Sequence, residues 1–148
     1  MLGKPHAGWT NINIAGEKTC ASYLTDVAFD FAKAIINVFR EGEFKTVTID
    51  AESDGTYIYV IGRFDTYVIE EDTEDGVPKL YTSYIYIEDL AKDLANDLEN
   101  YFSDWITWLP ELDLCDMDEK EANECKEEIS KREELLKNYI KELRKYSS

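Results

Sequence analysis

The hydrophobic and polar positions of the chain follow two different periods, which divide it into predicted strands and helices. Apolar and polar residues alternate, with many Val, Ile, Thr and Tyr, in the manner of half-buried strands. The alternation predicts six strands, at 9–14, 19–24, 46–51, 56–61, 64–69 and 79–87. Turn residues such as Gly16, Ser53-Asp54-Gly55 and Asp75-Gly76 separate neighbouring strands. Strands joined by such short turns must pair mostly in an antiparallel manner.

Two segments have apolar residues at the three- and four-residue spacing of an amphipathic helix. The first covers 26–41, with a capping residue at Thr25-Asp26 and Gly42 after its end. The second covers 88–109 and ends before Pro110. Because each helix has a single apolar side, we expect both to lie on one face of the sheet. The pattern predicts an α+β fold with a mostly antiparallel sheet of five to six strands, in the order ββαββββα.

A third helical pattern, at 116–148, is longer and has a narrower apolar side. Its apolar positions recur every seven residues, and Arg132 occupies one of them. Since only about four heptads are available, we expect the helix to pack on its own domain rather than on a second copy. The predicted organisation is an α+β domain at 1–109, a linker at 110–115 and this helix, in a monomer rather than a homodimer.

Charge is distributed unevenly along the chain. The formal net charge is −16, and residues 45–116 carry 18 acidic but only four basic side chains. A field of this sign repels nucleic acid and anionic membranes and attracts basic protein surfaces. With 44% hydrophobic residues and 19 aromatic ones, the chain is too apolar to be a disordered acidic tail. We therefore expect a folded protein that binds a basic protein surface and neither nucleic acid nor a membrane directly.

The cysteine pattern and the absence of long apolar runs indicate the compartment. No run of 18 apolar residues and no apolar N-terminal core occurs, so neither a membrane span nor a cleaved export signal is expected. The three cysteines, Cys20, Cys115 and Cys125, are odd in number and include no Cys-x-x-Cys pair, which argues against a disulfide framework or a zinc knuckle. The cytoplasm is the expected location.

Motifs for catalysis or cofactor binding are absent from the sequence. The one histidine, His6, falls in an N-terminal stretch that we expect to be unstructured. Asp50 to Gly55 matches the first half of a calcium loop, but Ile61 stands where a bidentate Glu would be needed, so an acidic turn is the better interpretation. We expect no metal, no cofactor and no enzymatic activity, with a carboxylate-dependent enzyme as a distant alternative.

Candidate binding residues form two acidic groups and one aromatic group. The first acidic group crowds one hairpin: Glu70, Glu71, Asp72, Glu74 and Asp75. The second is a stripe on the outer side of the 88–109 helix: Asp89, Asp93 and Asp97. The third group consists of strand tyrosines: Tyr57, Tyr59, Tyr84 and Tyr86. We expect the Ile and Val side chains to face the helices, and the tyrosines to lie on the other face, partly under the last helix or exposed as a binding face.

The spacing of the acids limits how closely they could imitate nucleic acid. Duplex DNA has a phosphate about every 3.4 Å along each strand, whereas the helical stripe has a carboxylate about every 6 Å. Mimicry would therefore require the stripe and the hairpin group to lie side by side. Acidity that serves only solubility is the simpler alternative.

A small acidic α+β domain of this kind resembles in type the inhibitors and immunity proteins that bacteria and their mobile elements use against nucleases. The resemblance implies a non-catalytic protein that binds and blocks the basic groove of a nuclease or another nucleic-acid-processing enzyme, as anti-CRISPR and anti-restriction proteins do. The alternative is an immunity protein or antitoxin that neutralises a cognate toxin through the acidic hairpin and the tyrosine face.

Overall fold

The computed structural model describes residues 1–71, 73–108 and 118–147. The strands are β1 (Trp9–Ile14), β2 (Glu17–Ser22), β3 (Lys45–Asp50), β4 (Thr56–Ile61), β5 (Asp65–Glu70) and β6 (Lys79–Tyr84). The helices are α1 (Val27–Glu41), α2 (Ile87–Asn100), α3 (Phe102–Ile106) and α4 (Glu119–Ser147). The predicted α+β class with antiparallel strands is confirmed, and the six strands are divided between two sheets. The predicted linker, 110–115, lies outside the described residues.

Both sheets follow the order of the sequence. Strands β1 and β2 form a hairpin at Gly16, whose φ of 91° lies in the left-handed region. Strands β3 to β6 form a four-stranded antiparallel meander. Ile49 pairs with Tyr57, and Tyr59 pairs with Val68, so side chains of one face stand in rows across the strands.

Helix α1 is central to the hydrophobic core. It lies on one face of the four-stranded sheet, where the Phe31 ring meets the Tyr59 ring edge-on with 5.1 Å between centroids. Its C-terminal Gly42 has a φ of 74° and donates its N–H to the Val38 carbonyl, which closes the last turn. Helix α2 packs mainly on α1 and α4 rather than on the strands. Helices α1 and α2, which we expected together on one face of the sheet, are therefore neighbours. Helix α1 covers the sheet, whereas α2 packs mainly on the helices.

The helix predicted over 88–109 is interrupted at Tyr101, which separates α2 from the short α3. Beyond this break, Trp105 is fully buried. Trp108 is buried as well, and its indole N–H donates to the Thr25 carbonyl oxygen at 2.8 Å. A buried indole needs an acceptor for its N–H, and the Thr25 carbonyl oxygen is that acceptor for Trp108.

Helix α4 packs on α1 and α2 and completes the core. Leu136 and Leu143 are fully buried. Arg132, the polar residue in the apolar repeat, is also buried, so it is part of the packed side of the helix. Among the described helices, none combines the length and apolar character that crossing a membrane requires.

The N-terminal residues are paired with β1, so the prediction that this stretch is unstructured is wrong. Leu2 forms a β-bridge with Ile12 and is buried. His6 and Trp9 exchange two backbone hydrogen bonds, of 2.8 and 2.9 Å. The open edge of β1 supplies the backbone partners, and burial of the Leu2 side chain favours their pairing.

Candidate functional site

Acidic side chains from two turns meet at one end of the four-stranded sheet. One turn connects β3 to β4 and the other connects β5 to β6, and the N–H of Glu71 donates to the Thr56 carbonyl at 3.0 Å. We name this group the acidic end: Asp50, Glu52, Asp54, Glu70, Glu71, Glu74 and Asp75. Asp72, which the sequence places with them, lies outside the described residues.

The first turn of the acidic end is the segment that resembles half of a calcium loop. It is a single 3-10 turn, Glu52–Asp54, between two strands, as expected for an acidic turn. The Asp50 carboxylate accepts the backbone N–H of Glu52 at 2.7 Å and thereby caps the turn.

The second turn fixes two further carboxylates. Asp75 accepts hydrogen bonds from the Thr73 hydroxyl at 2.8 Å and from the Val77 N–H at 3.1 Å, and these bonds lower the pKa of Asp75. Glu70 accepts the Tyr81 hydroxyl at 3.2 Å. Both side chains are therefore held in defined positions, and Asp75 stays ionised over a wider pH range.

None of the carboxylates of the acidic end forms an ion pair with any described residue. Lys79 is the ladder partner of Glu70, but the two side chains form no ion pair. Several acids in or next to the helices do form ion pairs, as Glu99 does with Arg144 at 2.9 Å. The acidic end thus keeps its negative charge available to an outside partner.

The predicted helical stripe is a separate surface. Helix α2 begins after β6, at the end of the strand away from the acidic end, and six strand residues span about 20 Å. Asp89 and Asp93 are exposed. Asp97 is only partly exposed, because its carboxylate binds the backbone nitrogens of Met1 and Leu2 at 2.8 and 2.9 Å. The outer position predicted for all three acids is therefore wrong for Asp97.

The predicted orientation of the strand tyrosines is reversed for the first pair. Tyr57 and Tyr59 lie on the face that α1 covers, and Tyr59 is only 1% exposed. Burial raises the pKa of Tyr59, whose hydroxyl is hydrogen bonded to that of Thr19. Tyr57 lines a cleft of about 190 Å³ between β2 and the sheet, beside Glu70, and burial and the charge of Glu70 raise its pKa.

The second pair of tyrosines lies far from the first. Tyr84 is 84% exposed on the opposite face of the sheet, and Tyr86 is 60% exposed in the segment after β6. Near them, the Phe64 and Tyr86 rings meet edge-on at 5.9 Å, and Phe44 is also exposed. We name this group the aromatic end: Phe44, Phe64, Tyr84 and Tyr86.

Of the Ile and Val side chains that we expected beneath the helices, Ile58, Val60 and Ile69 lie on the uncovered face of the meander, whereas Val68 is buried on the covered face beside Tyr59. We name the uncovered face the open face; its members are Thr46, Thr48, Asp50, Thr56, Ile58, Val60, Asp65, Tyr67, Ile69, Leu80, Thr82 and Tyr84. All of its members are exposed or half-buried. The acidic end borders it on one side and the aromatic end on the other.

The alternation of residues in β3 indicates which face of the sheet is buried. Val47 and Ile49 are buried, and threonines stand between them on the other side. Since Ile49 pairs with Tyr57, the tyrosines of β4 must share the buried face. Strand β4 alone is ambiguous, because both of its faces are apolar.

A groove between α1 and β3 has a mixed polar and apolar lining. Asp30, Lys33, Asn37 and Lys45 contribute its polar lining. Although Asp30 is an exposed residue, desolvation of its carboxyl group and the charge of Asp26 raise its pKa. Asp30 is the one carboxyl group among the described residues that line this groove.

Residues 1–71, 73–108 and 118–147 contain no group of three or more His, Cys, Asp or Glu side chains placed to hold a metal ion. The chain matches no protein-family model, and no curated protein or solved structure is significantly similar to it. The acidic end, the open face and the aromatic end are the surfaces of this chain that bear on its function.

Proposed function

We propose that this chain is a non-catalytic interaction protein that binds and blocks the basic groove of a nuclease or another nucleic-acid-processing enzyme, in the manner of anti-CRISPR or anti-restriction proteins. The acidic end is the observation that carries this proposal. Its carboxylates gather from two turns and form no ion pairs among the described residues. A groove built to bind phosphates attracts such a surface and favours rapid association.

This protein can compete with nucleic acid for the groove without reproducing the spacing of phosphates in duplex DNA. The acidic end and the stripe of Asp89 and Asp93 start at opposite ends of β6, so they do not form two adjoining rows along that strand. Binding by charge then depends mainly on the acidic end, with the stripe as a second, weaker contribution.

An immunity protein or antitoxin is the second candidate, and the aromatic end favours it. Exposed aromatic side chains such as Tyr84 and Phe64 are frequent anchors in protein interfaces. A toxin could be neutralised through these side chains without occupation of its nucleic-acid site. The two candidates therefore differ in whether nucleic acid competes with this protein for the partner.

The first experiment measures how charge affects association. The partner is captured from the native host, identified by mass spectrometry and purified, and its association rate is followed as salt rises. The rate should fall steeply, because the screening length decreases from about 10 Å at 0.1 M to about 3 Å at 1 M. An acidic-end variant, with Glu70→Gln, Glu71→Gln, Glu74→Gln and Asp75→Asn, should associate on the order of tenfold more slowly at low salt.

A matched control removes the same number of charges from α4. It carries four substitutions at exposed positions, Glu124→Gln, Glu127→Gln, Glu128→Gln and Glu134→Gln. Association should be nearly unchanged in this control. If both variants behave alike, only the net charge matters and the acidic end is not the binding surface.

The second experiment adds duplex DNA or RNA to the purified partner. Nucleic acid should reduce the apparent affinity of this protein in proportion to its concentration. A partner that holds nucleic acid and this protein together with undiminished affinity contradicts blocking and favours the immunity protein or antitoxin.

A further inference from the structure

The open face is apolar at its centre and carries no positive charge. Its two central rows are Thr46–Val60–Tyr67–Thr82 and Thr48–Ile58–Ile69–Leu80. Its charged residues, Asp50 and Asp65, are both acids. Leu80 is 62% exposed and Tyr84 is 84% exposed. An exposed apolar surface within a polar border is typical of a protein interaction site.

The area of this surface indicates how far a partner must extend. Four strands about 4.8 Å apart, each rising about 3.3 Å per residue over six residues, cover about 400 Å². A stable complex buries about 800 Å² on each partner. A partner that uses the open face must therefore also cover the acidic end, the aromatic end or both, which border the face directly.

A second copy of the chain is a poor occupant of this face. It would bring Asp50, Asp65 and the acidic end towards the same acids, and each chain carries a net charge of −16. Like charges placed opposite one another in an interface oppose association. Charge complementarity requires basic side chains around the apolar contact.

We propose that the open face docks a protein whose contact surface has an apolar patch bordered by lysine or arginine side chains. The inference rests on the proposed function, since the basic groove of the same partner would meet the acidic end. The open face adds a short-range apolar contact that slows dissociation, whereas the acidic end speeds association.

A library of random linear peptides selected against the full chain tests this assignment with a defined probe. The enriched peptides should combine aromatic or aliphatic residues with lysine or arginine. They should bind an open-face variant, Leu80→Ser with Tyr84→Ser, about tenfold more weakly than the wild type, which corresponds to about 1.4 kcal/mol. The control is Leu135→Ser, at a leucine that is 42% exposed on α4, and its peptide binding should be unchanged.

Hydrogen exchange of the wild-type chain with a selected peptide gives a second readout that does not depend on any variant. Protection should rise at the amides of β4, β5 and β6, and the exposed side of α4 should be unaffected. Because Leu80 and Tyr84 are highly exposed, the open-face variant should keep its melting temperature, which is measured alongside.

The possible outcomes separate the two proposals. Peptides that contain only basic residues, and that bind the open-face variant as well as the wild type, would overturn the docking surface and leave the proposed function intact. Apolar peptides without basic residues, a self-associating chain that Leu80→Ser converts to a monomer, or no enriched peptide at all would overturn the assigned occupant. Full binding to the acidic-end variant with loss in the open-face variant would support the docking surface and would show that it binds peptides independently of the acidic end.

Discussion

The guanidinium group of Arg132 in α4 binds the carboxylate of Asp26, the residue before α1, through two hydrogen bonds of 2.8 and 3.1 Å. The same guanidinium donates to the carbonyl oxygens of Trp105 and Ile106, and it lies 4.0 Å from the centre of the Phe29 ring. Four of its five N–H donors are thereby satisfied in a buried position. One side chain thus joins the start of α1, the end of α3 and the middle of α4.

Replacement of this arginine should destabilise the protein strongly. In Arg132→Met, Asp26 loses its ion-pair partner and the carbonyls of Trp105 and Ile106 each lose one donor, so the free energy of unfolding should fall by about 3 kcal/mol. Urea unfolding at neutral pH measures the change. Lys137→Met is the control, since Lys137 and Glu133 form an exposed pair that should contribute less than about 1 kcal/mol. Equal losses of unfolding free energy in the two variants would show that the contacts of Arg132 stabilise the protein no more than an exposed ion pair does.

Two neighbouring leucines of α4 should differ in their effect on stability. Leu136 is fully buried and Leu135 is 42% exposed. Leu136→Ala should lower the free energy of unfolding by about 2–5 kcal/mol, because it leaves a cavity between α4 and the core. Leu135→Ala should change it by less than about 1 kcal/mol. A small effect of Leu136→Ala would mean that α4 is not packed on α1 and α2 in solution.

Stability should decline at alkaline pH through Tyr59. Burial raises its pKa above the ordinary value of 10.0, so above about pH 10 the unfolded chain releases a proton that the folded chain retains. Stability is therefore full below pH 10 and is lost as the pH rises towards the folded-state pKa. Tyr59→Phe should cost about 1 kcal/mol at pH 8, where its hydrogen bond to Thr19 is missing, and should show a shallower alkaline decline. Unfolding curves from pH 8 to 11 make the comparison, and parallel declines would contradict it.

A side chain at Gly62 should displace the ring of Phe44 from its contact with the ring of Tyr67. A Cβ atom at Gly62 would lie 2.3 Å from Cε1 of Phe44, which is too close. Phe44 is 57% exposed, so its ring can turn outwards, and Gly62→Ala should cost less than about 1 kcal/mol. The ring contact between Phe44 and Tyr67, with centroids 6.3 Å apart, should be lost from nuclear Overhauser spectra. Persistence of that contact would show that the backbone moves instead.

Much of the fold was predictable because it depends on local pattern. The bounds of β1 and β4 agree with the alternation of apolar and polar residues, and α1 begins within one residue of its predicted start. The two faces of the sheet were harder, since Tyr59 and Val60 are both apolar enough to be buried. Their assignment depends on the register with β3, where Val47 and Ile49 alternate with threonines.

The candidate site was predictable only in part, because it depends on contacts that are distant in sequence. The hairpin acids could be recognised as a group, but their meeting with Asp50 and Asp54 follows from strand pairing. Nothing near Asp97 in the sequence indicates that its carboxylate binds the N-terminal backbone. The role of Arg132 was likewise hidden, since its partner, Asp26, is 106 residues away.

Helix α4 also determines when the protein can finish folding during its synthesis. The strands, α1 and α2 are all made before Leu136 and Leu143 leave the ribosome, so the apolar sides of α1 and α2 that α4 covers remain in water until then. Transiently exposed apolar surface of this kind makes incomplete chains prone to aggregate. The core is therefore completed last, when α4 packs on α1 and α2.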